Sequence, residues 1–158
     1  MQISFLADYP QHLPTVASWV FDEWGRSRQG VTIEKVEARF RNHLQRNSLP
    51  LTLLALQDGN PLGTASLQLT DMYTRPELTP WLAAVYVHPE SRNQGIGSNL
   101  VQTSQEVARE LQIDRLYLFT PDREDFYAHL GWSVLERTEF RSQQVVIMTY
   151  DLNGDPSP

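Results

Sequence analysis

Residues 81–97 read WLAAVYVHPESRNQGIG, and this stretch decides how the chain folds. The segment Trp81–Val87 is almost wholly apolar, which is typical of a strand buried on both faces at the centre of a sheet. His88-Pro89 ends that strand. A helix is predicted from Gly95 to about Gln112, because apolar side chains recur there at helical spacing, at Ile96, Leu100, Val107 and Leu111. The stretch therefore predicts a strand, a glycine-containing loop and a helix in succession.

The loop of this unit suits an anionic ligand. Gly95 and Gly97 let the backbone approach a ligand closely, and the first turn of the following helix offers unpaired N–H groups at the positive end of its dipole. Such a loop can hold a pyrophosphate. It is not the mononucleotide P-loop, because the Lys-Ser/Thr pair is missing, and it lacks the Gly-x-Gly-x-x-Gly spacing of dinucleotide-binding domains.

Outward from this unit, hydrophobic periodicity and turn residues predict the other elements. A strand, two helices and two further strands precede it, over Ile3–Ala7, His12–Glu23, Thr32–Gln45, Leu51–Gln57 and Leu62–Leu69. Thr32 is predicted to cap the second helix, Asp58-Gly59-Asn60-Pro61 to reverse the chain between the paired strands, and residues 71–80 to form a longer loop.

A strand, a short helix closed by Gly131 and two final strands follow the unit, over Leu116–Phe119, Arg123–Leu130, Trp132–Glu139 and Gln143–Leu152. The predicted order is β-α-α-β-β-β-α-β-α-β-β. It makes an α/β fold in one domain, residues 1–152, followed by a disordered tail over residues 153–158.

The composition excludes several kinds of chemistry. The chain has 158 residues and no cysteine, so it has no disulfide, thiolate metal site or cysteine nucleophile. Its net charge of −6, without clustered Lys and Arg, argues against a nucleic-acid partner. No apolar run approaches the roughly 18 residues of a membrane span, and no secretory signal is evident, so we expect a cytoplasmic protein that does not enter a membrane. The histidines lack metal-site spacing, and we expect no metal.

Two motifs resemble one known family. Val85-x-Val87-x-Pro89-x-x-Arg92-x-x-Gly95-x-Gly97 resembles the acetyl-CoA signature of the GNAT superfamily, Arg/Gln-x-x-Gly-x-Gly/Ala. Phe126-Tyr127-Ala128-His129-Leu130-Gly131-Trp132 resembles its Phe-Tyr-x-x-x-Gly-Phe/Tyr segment. The resemblance implies a GNAT fold with a central mixed, mainly antiparallel sheet that is splayed at strands 4 and 5. It also implies an N-acetyltransferase that transfers the acetyl group of acetyl-CoA to a primary amine.

The resemblance implies roles for particular residues. The backbone of Val85, Tyr86 and Val87 would bind the pantetheine arm, and Tyr127 would be the general acid that protonates the departing thiolate. The CoA pyrophosphate would be held by the amides of Arg92, Asn93, Gln94, Gly95, Ile96, Gly97 and Ser98. The amide of Tyr86 or Val87 could stabilise the developing oxyanion. Thr120 stands where many relatives have an asparagine that contacts CoA.

The general base is not identified by the sequence. Many relatives carry a glutamate on the fourth strand, and this chain has no carboxylate there. The candidates that could act through water are Asp22, Glu23, Asp71, Glu77, Tyr86 and His88. Because of this departure, a domain that binds acetyl-CoA without catalysis stays open, as does transfer of a longer acyl group.

The acceptor amine and the oligomeric state are also left open, a homodimer included. The family's acceptor groove lies between the segment joining the first two helices, the loop before the fourth strand and the final hairpin. These segments carry Trp24, Arg26 and Arg28, then Tyr73, Arg75 and Glu77, then Arg137 to Arg141. They could grip a peptide terminus, a carboxylated amine or a small polar metabolite, or be solvated loop residues.

Overall fold

Seven strands form one mixed sheet in the computed structural model, which describes residues 1–153 of the chain. They are β1 (Gln2–Phe5), β2 (Leu51–Gln57), β3 (Asn60–Gln68), β4 (Trp81–Val87), β5 (Arg115–Thr120), β6 (Ser133–Phe140) and β7 (Gln143–Asp151). Their order is β1-β2-β3-β4-β5-β7-β6. Neighbouring strands are antiparallel except β4 and β5, which run parallel.

Helices flank this sheet: α1 (Leu13–Val20), α2 (Ile33–Arg41), α3 (Ile96–Glu110) and α4 (Glu124–His129). Thr32 caps α2 as predicted, because its hydroxyl accepts the N–H of Lys35 at 3.2 Å. Short 3₁₀ turns cover Leu6–Asp8, Pro10–His12 and Pro89–Ser91.

Two predicted helix ends are wrong. The first helix does not reach Glu23 as an α-helix, because the chain widens into a π-helical turn over Phe21–Gly25, which the N–H of Arg26 closes by bonding the carbonyl of Phe21. The second helix ends at Arg41 and not at Gln45. There the hydrogen bonds tighten to three-residue spacing, and the backbone leaves the helix.

The sheet separates two hydrophobic layers. The side chains of β2 point alternately to the two faces of the sheet, so successive residues pack in different layers. Leu53 and Ala55 pack with Leu100 and Val101 of α3. Leu54 and Leu56 face the opposite way and pack with the helix pair α1 and α2, against Val16, Val20, Val36 and Phe40. A strand buried on both faces therefore holds α3 and the α1–α2 pair on opposite sides of the sheet.

The hairpin between β2 and β3 forms at the predicted reversal. Asp58 and Gly59 both have positive φ, 52° and 80°, as a two-residue hairpin turn requires. The Asp-Gly pair therefore forms the turn that brings Gln57 opposite Asn60.

The parallel strands β4 and β5 diverge almost at once. They are paired only at Trp81 and Tyr117, and beyond that point β4 has β3 on one side and no strand on the other. The prediction that Trp81–Val87 is buried along its whole length is therefore wrong in its second half. Trp81–Ala83 are buried, whereas residues 84–87 are half-buried because β5 no longer covers them.

A bulge in β4 increases this divergence. Two residues, Ala84 and Val85, stand opposite the single Ala65 of β3, and Ala84 has a φ of +54°. A bulge bends its strand and increases the local twist, so it directs the end of β4 away from β5.

The predicted mixed, mainly antiparallel sheet, splayed at strands 4 and 5 and flanked by helices, is confirmed. Of the predicted tail, Asn153 donates its side-chain amide to Asp114 at 2.6 Å, and residues 154–158 lie outside the described residues. Within residues 1–153, no helix is long and apolar enough to cross a membrane.

Candidate active site

The loop from β4 to α3 presents a run of backbone amides without protein acceptors. The N–H groups of residues 93–98 donate to no backbone or side-chain acceptor within residues 1–153, and the first helical bond of α3 is Asn99 to Gly95. Asn93 and Gly95 both have positive φ, 65° and 81°. Alternating backbone handedness next to a helix N-terminus turns successive amides towards one point, which is how backbone nests bind anions.

Arg92 belongs to this loop in a different way. Its amide turns back to the carbonyl of Pro89, so the run of unbonded amides begins at Asn93. Its side-chain Nε donates to the carbonyl of Val87 at 2.9 Å, and its guanidinium carbon lies 5.6 Å from the ring centroid of Tyr86. Arg92 therefore ties the loop to the end of β4.

The unpaired edge of β4 presents the backbone of Val87. His88 donates to the carbonyl of Leu62, and antiparallel strands alternate between bonded and non-bonded pairs. The pair of Tyr86 with Thr64 is therefore bonded, and the backbone of Tyr86 faces β3. Val87 faces the opposite edge, where its carbonyl accepts from Arg92 and its N–H points into the gap. Val85 lies in the bulge.

The side chain of Tyr86 packs on two tryptophans from the helical segment before α2. Its ring centroid lies 5.4 Å from that of Trp19 and 6.4 Å from that of Trp24. The two tryptophans come from α1 and the π-helical turn, and Trp24 is 42% exposed. These three aromatic side chains therefore pack together beside the diverging strands.

Tyr127 lies on α4 and is 8% exposed. Its ring packs against Phe126 and Trp132, at centroid distances of 4.9 and 6.2 Å. Burial raises the pKa of Tyr127 to about 12, so the phenol keeps its proton at neutral pH.

The structure brings the two sequence motifs together. A Cβ at Gly97 would lie 3.5 Å from Cζ of Phe126 and 3.7 Å from Cγ2 of Val87. The start of α3, the end of β4 and helix α4 therefore meet, and the contact from α4 is made by Phe126, the residue before Tyr127. The hydroxyl of Thr120 accepts the N–H of Arg123 at 3.0 Å and stabilises the turn before α4.

The residues considered as general bases differ in their hydrogen bonds, ion pairs and burial. Asp22 is paired with Arg26, Glu77 is exposed and bonded to Arg75, and Nδ1 of His88 accepts the N–H of Glu90. Asp71 is half-buried, and burial raises its pKa to about 6 against the opposing charges of Arg39, Arg141 and Arg28. In the part of the chain that the structure describes, no group of three or more His, Cys, Asp or Glu side chains could hold a metal ion.

The arginines of the acceptor segments fall into two groups. Three are paired with carboxylates: Arg26 with Asp22, Arg75 with Glu77 and Glu136, and Arg137 with Glu124. The others, Arg28 and Arg141, have no salt-bridge partner within residues 1–153, and neither does Arg39 of helix α2. Sequence reasoning missed Arg39, because a charged residue on the polar face of an amphipathic helix gives no signal of its own.

Comparisons with known proteins agree with this geometry. A family model described as the acetyltransferase (GNAT) family matches residues 12–132. The fold is similar to an aminoglycoside 6′-N-acetyltransferase from Enterococcus faecium, with a TM-score of 0.75 and 14% identity over 99% of this chain and 100% of that one. It is also similar to a ribosomal-protein-alanine N-acetyltransferase from Brucella melitensis, with a TM-score of 0.74 and 18% identity over 96% and 99% of the two chains.

A third similar structure was solved with a bound ligand. It is yncA from Salmonella typhimurium, solved with acetyl-CoA, with a TM-score of 0.70 and 18% identity over 100% of this chain and 97% of that one. At such identities these structures show a shared fold. No curated protein matches the sequence significantly.

Proposed function

Because the chain belongs to the GNAT family of acetyltransferases, we propose that it transfers the acetyl group of acetyl-CoA to a primary amine of a small molecule or peptide by direct attack. Residues 1–152 form the catalytic domain in this proposal. Two of the similar structures are acetyltransferases for an aminoglycoside amine and for a protein alanine, which agrees with an amine acceptor here.

The observation that carries the proposal is the run of unbonded amides at residues 93–98, next to the gap between β4 and β5. A pyrophosphate offers several acceptor oxygens to such a group, and its charge is favoured at the N-terminus of α3. The open side of Gly95, where a Cβ would meet no heavy atom within 4 Å, leaves room for it. The chain thus has a site that fits the phosphates of CoA, and the free edge of β4 fits the pantetheine amides.

The residues at the gap have complementary tasks. Acetyl-CoA supplies a thioester, which a neutral amine attacks without an enzyme nucleophile. The N–H of Val87 points into the gap and is the donor best placed to stabilise negative charge on the carbonyl oxygen. We therefore favour Val87 over Tyr86 for this role. Tyr127 donates its phenolic hydrogen to the departing sulfur, and the proton that the attacking nitrogen loses passes through water and restores the phenol.

Direct binding is the first test. Purified protein is titrated with acetyl-CoA in a calorimeter, with desulfo-CoA and ATP as comparison ligands, and CoA release is then followed with a panel of amines. Micromolar binding of acetyl-CoA and desulfo-CoA, with much weaker ATP binding and turnover of an amine, is the expected result. The absence of binding would overturn the cosubstrate assignment. Propionyl-CoA and succinyl-CoA test the acyl chain, and faster transfer from either would contradict acetyl transfer.

A non-catalytic acetyl-CoA-binding domain is the second candidate function. It is favoured by the lack of a carboxylate on β4 and by Thr120, whose hydroxyl is used in a turn. Tight acetyl-CoA binding without acetylation of any amine would support this alternative over the first.

A further inference from the structure

Three arginines from distant parts of the chain lie near enough to one aspartate for their charges to act on it. Arg28 precedes α2, Arg39 lies on α2, and Arg141 lies at the turn between β6 and β7. Asp71 follows β3, and its carboxylate accepts from Nε2 of Gln68 at 3.1 Å. The positive charges of Arg39, Arg141 and Arg28 all act on this carboxyl and lower its pKa, although burial has the larger effect.

Aromatic rings hold two of these guanidinium groups. The Arg141 carbon Cζ lies 4.6 Å from the ring centroid of Phe140 and 5.8 Å from that of Tyr73. Arg39 is stacked in the same way, 5.5 Å from the ring centroid of Phe40. Stacking fixes a guanidinium plane while its N–H edges stay available to a carboxylate.

The cluster has more positive than negative charge. Its members are three arginines and one aspartate, and no salt bridge neutralises the arginines within residues 1–153. Burial lowers the pKa of both Arg39 and Arg141, and the like charge of Arg28 lowers each of them further. An anionic group among them would relieve this repulsion, in a protein whose net charge is −6.

The cluster adjoins the place where β4 and β5 part. Phe140, on which Arg141 is stacked, packs on Phe119 of β5 at 5.3 Å between ring centroids. Phe119 packs in turn on Trp81 at 6.1 Å, and Trp81 is the residue of β4 that pairs with β5. Packed aromatic rings thus link Arg141 to the last point at which β4 and β5 are paired, where the gap begins.

We propose that the acceptor amine also carries a carboxylate, which Arg28, Arg39 and Arg141 bind while the amine enters the gap between β4 and β5. This inference rests on the proposed acetyl transfer and specifies its substrate class. Arginine binds carboxylates through paired N–H groups, and the stacked arginines are already oriented for it. The carboxylate is either the α-carboxylate of an amino acid or the side chain of an acidic residue at a peptide N-terminus.

Matched acceptors test the inference and distinguish these two sources. In one arm, amino acids are compared with their α-amides. In the other, C-terminally amidated peptides that begin with Asp or Glu are compared with peptides that begin with Asn or Gln. CoA release is measured for every pair. The carboxylate member of at least one arm is expected to have a kcat/KM about tenfold or more above its amide partner.

A charge-matched pair of variants tests the residues. Arg141→Gln should raise the KM for the preferred acceptor and leave acetyl-CoA affinity unchanged. Arg137→Gln removes the same charge from the same hairpin, but Arg137 is already bonded to Glu124 at 2.7 and 2.9 Å. This control variant should therefore keep both the KM for the acceptor and the affinity for acetyl-CoA. Equal effects of the two variants on acceptor KM would count against the cluster.

The outcomes separate this inference from the proposed function. Equal use of carboxylate and amide acceptors would overturn the inference, and so would acetyl-CoA binding without turnover of any carboxylate-bearing amine. Failure to bind acetyl-CoA would overturn the proposed function itself.

Discussion

Tyr127 is a buried phenol whose pKa burial raises to about 12, so in the proposed reaction it is protonated when the thiolate departs. Tyr127→Phe removes this donor and keeps the ring that packs on Phe126 and Trp132. Turnover should fall by about 100-fold or more, because a positioned acid contributes at least that much. Acetyl-CoA affinity measured by calorimetry should not change.

Tyr150→Phe is the matched control for this substitution. The ring of Tyr150 also packs on Trp132, at 5.5 Å between centroids, so the change affects the same aromatic group. Full turnover of Tyr127→Phe, or an equal loss in both variants, would remove Tyr127 as the general acid.

His43 and Asp71 change the stability in opposite directions with pH. Burial lowers the pKa of His43 from 6.5 to about 4, so the folded state binds its proton less tightly than the unfolded state. His43 therefore reduces the free energy of unfolding as the pH falls from 6.5 to 4. Burial raises the pKa of Asp71 from 3.8 to about 6, so the folded state takes up that proton first. Asp71 therefore increases the free energy of unfolding over most of the same interval.

Single substitutions should separate the two effects. Asp71→Asn leaves the His43 contribution unopposed, so acidification from pH 6 to pH 4.5 should destabilise this variant more steeply than the parent, by about 1 kcal/mol per pH unit. His43→Gln should show the opposite change relative to the parent. Urea unfolding at a series of pH values measures both slopes. Slopes equal to that of the parent in both variants would contradict the assignment.

At the scale of elements, the loop into α3 depends on Gly95, whose φ is +81°. Alanine disfavours that conformation by about 1–2 kcal/mol, and the loop can relieve the strain by turning its amides away from a common point. Gly95→Ala should therefore weaken acetyl-CoA binding by about tenfold or more.

Gly59→Ala is the control, because Gly59 has a φ of +80° and a Cβ there would also meet no heavy atom within 4 Å. The two variants should lose similar stability in thermal unfolding, and only Gly95→Ala should lose affinity in calorimetry. If Gly95→Ala bound acetyl-CoA with unchanged affinity, the proposal that the amides of residues 93–98 bind the CoA phosphates would be contradicted.

At Gly63 the close packing of β3 against β4, and not the backbone conformation, requires a glycine. A Cβ at Gly63 would lie 2.7 Å from the carbonyl oxygen of Tyr86, so the backbones would have to separate. Gly63→Ala should lower the free energy of unfolding by about 1–3 kcal/mol. Gly97→Ala, whose Cβ finds its nearest neighbour at 3.5 Å, should lose much less. Urea unfolding of both variants measures the difference, and equal losses would contradict the close approach.

Signals contained in short segments could be predicted from the sequence. The cap at Thr32, the turn at Asp58-Gly59 and the strand-loop-helix order around Gly95 all depend on neighbouring residues, and the structure has them. The loss of cover on β4 from Ala84 onward could not be predicted, because it depends on where β5 diverges. An alanine at a φ of +54° has no sequence signal either.

At the scale of the whole molecule, the arginine cluster is the part of the proposed site that sequence reasoning could not assemble. Arg28, Arg39 and Arg141 belong to three segments that only the folded sheet brings near Asp71. The acceptor segments contain other arginines, and ion pairs such as the one between Arg137 and Glu124 decide which of them stay available. That distinction exists only in the tertiary structure.

Acetyl-CoA binding should leave a pattern of amide protection over the whole chain. Tyr86 already bonds β3, so its amide hydrogen should exchange slowly in the free protein, whereas Val87 and residues 93–98 should exchange fast. Saturating acetyl-CoA should slow exchange at Val87 and residues 93–98 well beyond the slowing at Gly59, which lies in the remote hairpin and reports global stabilisation. Amide exchange followed residue by residue by NMR measures this pattern. A uniform slowing would mean that the ligand stabilises the fold from elsewhere, because a ligand held by these amides must protect them first.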